Sequence, residues 1–83
     1  MMSQKLKQDL SIGPNLQKYR IQSGLSQEAV AAQLQIRDID VMREIISQME
    51  REKCNVRISV LLALSDLYKV PIQDFFADLD RFE

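Results

Sequence analysis

The chain has 83 residues, 46% of them hydrophobic, with two Gly, two Pro, one Cys, no His and a formal net charge of −1. This suits one small domain with an apolar core, and leaves little room for an enclosed active site or for strand turns. Without an imidazole partner Cys54 reads as an ordinary small side chain, so no catalytic residue, metal site or cofactor is expected; no run of about 18 apolar residues would span a membrane and no basic-then-apolar leader is present, so a cytoplasmic protein is expected.

Residues 1–11 read as an N-terminal arm, mostly polar, with Leu6 and Leu10 as its apolar side chains after the two leading methionines, either loose or forming one more helical turn. Residues 12–78 read as the folded domain and 79–83 as an acidic tail. A first helix is expected from about Ile12 to Ser23. Gly13-Pro14 stands at its start, where a missing N–H costs nothing. Ile12, Leu16 and Tyr19 share one face, and Gly24 suits a left-handed C-terminal cap.

From Leu25 to Lys53 two short helices joined by a turn are expected. Ser26 is a good N-cap, Glu28 suits the positive end of the helix dipole, and Val30, Ala31 and Leu34 recur at helical spacing. In the third helix Ile46 and Met49 fall on one side. Arg43, Glu44, Ser47, Gln48 and Arg51 fall on the other. That row is either a solvated face or a set of side chains whose geometry matches base edges in a DNA major groove. A fourth helix is expected from Arg57 or Ile58 to Tyr68, with Leu61, Leu64, Ser65 and Tyr68 inward, and ended by Val70-Pro71. Pro71 then opens a fifth helix, IQDFFADL, with Phe75 facing the core. No alternating run between turn residues signals a strand.

Charge is unevenly spread. Residues 1–24 carry a local +3 from Lys5, Lys7, Lys18 and Arg20 against Asp9, while residues 58–83 carry −3. The acidity lies in the tail, so the opposite side is free to present a modest basic rim to phosphate.

With five helices placed, the segments IGPNLQKYRIQSGLSQEAVAAQL, IISQMEREK and VLLALSDLYKVPIQDFF resemble the Cro/lambda-repressor-like helix-turn-helix family, often called the XRE family. The resemblance covers about residues 12 to 76. Its motifs agree in order: an Arg four residues before a Gly, Gly-Leu-Ser-Gln-Glu, Ile-Ser-x-x-Glu, then Leu-x-x-Leu and Val. It implies an all-α, compact five-helix DNA-binding domain that binds a double-stranded operator as a dimer. By the same resemblance Gln27 touches a phosphate at the start of the second helix, a physical anion site in any case. Arg43, Glu44 and Gln48 reach base edges, with Ile45 and Ser47 near them and Arg51 on the same face. Lys53 and Asn55 lie in a loop against the phosphate backbone. Arg20 and Glu50 form an ion pair between the first and third helices that positions the recognition helix.

Three departures stand out. The link from Leu34 to the third helix exceeds the family's short turn by about five residues, QIRDI or a neighbouring register. Within it Ile36, Ile39 and Val41 are expected to tuck inward and Asp40 to cap the third helix. Met42 stands where the family has a capping Ser. Glu52 and Lys69 stand where Gly usually ends helices, and Glu52 faces the expected phosphate side.

Val60, Leu62, Leu67, Ile72, Phe76 and Phe82 exceed what one small bundle needs, so a symmetric homodimer is expected, unless the arm covers them through Leu6 and Leu10. The favoured reading is a sequence-specific DNA-binding transcriptional regulator, a repressor, with no small-molecule ligand. The alternative is an antitoxin-like or other protein-interaction module with the same fold and little DNA affinity. An enzyme is not expected.

Overall fold

The computed structural model describes residues 12–51 and 56–77. Four α-helices and a 3-10 helix follow in order: α1 (Gly13–Gln22), α2 (Gln27–Ile36), α3 (Arg43–Arg51), α4 (Ile58–Tyr68) and the 3-10 helix Ile72–Phe76. The described residues contain no strand. Leu6, Leu10, Glu52, Lys53, Cys54, Asn55, Phe82 and the acidic tail lie outside them.

The core is one cluster to which every helix contributes. Leu16 comes from α1, Val30 and Leu34 from α2, Ile46 and Met49 from α3, Val60, Leu61, Ala63, Leu64 and Tyr68 from α4, and Phe75 from the 3-10 helix. Burying each larger apolar side chain stabilises by roughly 1.5–3 kcal/mol. Phe75 is fully enclosed. Its ring meets Tyr68 edge-on at 6.3 Å and Tyr19 at a tilt at 6.0 Å between centroids, the separations at which aromatic pairs attract. Val60, expected among the surplus apolar residues, is buried, whereas Leu62 and Phe76 are exposed and Leu67 and Ile72 are half-buried.

Helix boundaries follow from local chemistry. Ser26 has extended backbone and its Oγ accepts the Ala29 N–H at 3.0 Å, which starts α2. Three α-helices end in a left-handed residue. Gly24 takes φ 73° after α1; its N–H donates to the Ile21 carbonyl, and that of Leu25 to the Arg20 carbonyl. Asp38 does the same after α2 at φ 64°, with donors Asp38 and Ile39 reaching Gln35 and Leu34. This is the Schellman arrangement, which satisfies the last carbonyls of a helix. Lys69 ends α4 at φ 59°, and the Val70 N–H closes back on Ser65. Lys69 therefore adopts the strained conformation that its position threatened, at a cost of about 1–2 kcal/mol that Gly would not incur.

Three expectations fail on the path from α2 onward. Asp40 does not cap α3: the helix begins at Arg43, and the Met42 carbonyl accepts the Ile45 and Ile46 N–H groups. Asp40 sits instead at the centre of a tight turn closed by the Val41 N–H on the Ile39 carbonyl at 3.1 Å. Val41 is buried and Ile39 half-buried, as expected, but Ile36 is 74% exposed because it lies two residues past Leu34, on the opposite side of α2. The fifth helix is not α-helical. Asp74 N–H bonds Pro71 and Ala77 N–H bonds Asp74, the tighter three-residue spacing, over five residues only.

Candidate nucleic-acid interface

The geometry of α3 is set from its inner side. Ile46 and Met49 enter the core, and Glu50, one residue on, is sunk beside them with a side chain only 2% exposed. A buried carboxylate demands donors, and three converge on it. Arg20 of α1 donates Nε to Oε2 at 2.7 Å and Nη2 to Oε1 at 3.2 Å, a fork-to-carboxylate pair. Gln27 of α2 donates Nε2 to Oε1 at 3.1 Å. The third arm of Arg20, Nη1, donates to the Leu25 carbonyl at 2.9 Å, tying the end of α1 to the start of α2. Tyr68 closes this corner. Burial pushes its phenol well above the ordinary range, the Glu50 charge adds to the rise and Arg20 opposes it, so the hydroxyl is protonated at neutral pH.

Two residues outside the sequence-based set fix α1 against its neighbours. Gly13 packs its backbone on the end of α3: an added Cβ would lie 2.5 Å from the Glu50 carbonyl oxygen and 2.8 Å from that of Met49. A Gly as the first residue of a helix, beside Pro14, was the available signal. Asn15 donates Nδ2 to the carbonyls of Phe75 at 2.9 Å and Ala77 at 2.8 Å, fastening the 3-10 helix to α1. Nothing in the sequence singles that residue out.

The outer side of α3 is open. Arg43, Glu44, Gln48 and Arg51 are exposed and Ser47 is half-buried. Arg43 and Glu44 approach at 3.7 Å with side chains 47% and 66% exposed, a surface pair worth little. Ile45 and Met42 add exposed apolar surface at the helix start. Gln27 stands apart from this row, its amide directed to Glu50. Among the described residues no cluster of His, Cys, Asp and Glu is placed to hold a metal ion, and no helix is long and apolar enough to cross a membrane.

A protein-family model described as helix-turn-helix matches residues 16–75. No curated protein and no solved structure matches the chain. The matched span takes in Arg20, all of α2 and α3, Glu50 and the core through Phe75. The chain belongs to the Cro/lambda-repressor-like (XRE) helix-turn-helix family, whose members are DNA-binding regulators.

Proposed function

We propose that this protein is a sequence-specific transcriptional repressor that binds double-stranded operator DNA as a homodimer in the cytoplasm, with α3 in the major groove. The observation that carries the reading is the division of α3. Its inner side is held by core packing and by the buried Glu50, while Glu44, Gln48 and Arg51 stand in solvent with Arg43 and Ser47 beside them. Gln48 suits adenine and Arg43 or Arg51 suits guanine, each by paired hydrogen bonds. Gln27 at the start of α2 contacts a phosphate, as do Lys53 and Asn55 beyond α3. By the family resemblance the link of residues 37–42 exceeds the usual short turn, and on this reading the polar anchoring of Glu50 offsets it. Occupying an operator is enough to repress, because it excludes other proteins from the same duplex.

The homodimer rests on exposed apolar side chains in the C-terminal half, Ile58 and Leu62 one turn apart on α4, and Phe76. The same side chains favour a second reading, a protein-interaction module with little DNA affinity, which the −1 net charge and Glu44 on the outer face also suit. Selection of bound sequences from a random duplex pool at moderate salt separates the two. A two-fold dimer selects an inverted repeat with half-sites roughly 34–36 Å apart, one helical turn. A consensus with one unrepeated half-site contradicts the dimer, and no enrichment contradicts DNA binding.

A further inference from the structure

The helices α2 and α3 are joined covalently by residues 37–42, between the last residue of α2 and the first of α3. They are joined a second time at their far ends. Gln27 is the first residue of α2 and Glu50 the penultimate residue of α3, and Nε2 of one donates to Oε1 of the other at 3.1 Å. The amide orientation is forced, since a carboxylate only accepts and turning the amide would set two acceptors together. Glu50 cannot relax away from this contact: its other oxygen is held by Arg20 at 2.7 Å and its side chain is almost wholly buried.

We propose that Gln27 is a positioning residue for DNA recognition, acting through Glu50 to fix how α3 is presented to the groove. This rests on the reading of α3 as the helix that reads bases. The unit formed by the two helices is a closed loop, covalent at one end and hydrogen-bonded at the other. The hydrogen-bonded end sets the relative placement, so the covalent end tolerates extra length. One N–H of the Gln27 amide is committed to Glu50, and the second remains for the phosphate. Anchoring on the backbone and seating of α3 thereby share one side chain.

The test replaces Gln27 with Met, which keeps length and volume and removes the donors. Affinity is measured for the duplex selected from the random pool and for a scrambled duplex of the same composition. The selected duplex is expected to lose about tenfold more affinity than the scrambled one, the order set by one hydrogen bond to a charged group. Equal losses on both duplexes would reduce Gln27 to a phosphate contact and overturn the proposal, as would no loss on either. In the same variant, without DNA, backbone amide resonances are expected to shift throughout residues 43–51. Shifts confined to residues 25–31 overturn the proposal. If the unmodified protein does not distinguish the two duplexes, the DNA reading fails, and the resonances alone decide whether Gln27 positions α3.

Discussion

On its inner side α3 is held at nearly every residue: Ile46 and Met49 lie in the core, Glu50 accepts three hydrogen bonds, and the backbone of Gly13 presses on the last carbonyls. On its outer side Glu44, Gln48 and Arg51 face solvent. The two sides are one helical half-turn apart and draw on different physics. Inner contacts are dry, so changes there leave buried charge or force overlap, and stability suffers. Outer side chains are hydrated, so changes there leave stability near its starting value and alter only what the helix meets. On the proposed function, a short helix separates folding from recognition by face rather than by segment.

The largest effect is expected at Glu50. Replacing either member of a buried ion pair strands the other charge, so Glu50→Ala and Arg20→Ala are each expected to cost about 3–5 kcal/mol in urea unfolding. The double replacement is expected to cost less than the two losses added, because the pair is removed once. Additive losses of a few tenths each would mean that the side chains do not interact in solution. Next comes Gly13→Ala. Helix propensity alone favours Ala, but its Cβ would sit 2.5 Å from the Glu50 carbonyl oxygen. Overpacking is therefore expected to win, lowering stability by about 1–3 kcal/mol in a thermal melt. A higher melting temperature would show that α1 shifts freely along α3.

A smaller effect of opposite sign is expected at Lys69, which ends α4. Its φ of 59° is relieved by Gly, and Lys69→Gly is expected to stabilise by about 0.5–1 kcal/mol after the extra chain entropy of Gly is counted. Calorimetry on the two proteins measures it, and a loss of stability would mean that the Lys69 side chain makes compensating contacts.

How much of this was legible depends on whether the signal is local. Ser26 and Gly24 were readable because a cap and a left-handed residue answer to their nearest neighbours. Core positions at helical spacing, Leu16, Val30, Leu34, Ile46 and Met49, were readable from period alone. Asp40 misled because a good capping residue was available at the right distance. Burial of Val41 and the left-handed turn at Asp38 instead delay the start of α3 to Arg43. The 3-10 helix was read as an α-helix because Pro71 opens both equally well; Asn15, far away in sequence, holds the carbonyls of Phe75 and Ala77. At the site, the outward row followed from spacing and its expected partners from the family resemblance. The inward turn of Gln27 did not, since it needs Glu50 to be buried beside α2. The close approach at Gly13 is a tertiary fact of the same kind.

In the proposed function the outer face of α3 reads bases while its inner face holds the fold. The measurement that tests it most directly compares the unmodified protein with Gln48→Ala on the selected operator and on every single-base variant of it, with urea unfolding measured in parallel. The expected result is lost discrimination at one base position per half-site, worth roughly 1–3 kcal/mol, and unfolding free energy unchanged within about 0.5 kcal/mol. A uniform loss across all variants, or a stability loss as large as that of Glu50→Ala, would contradict the division of labour between the two faces.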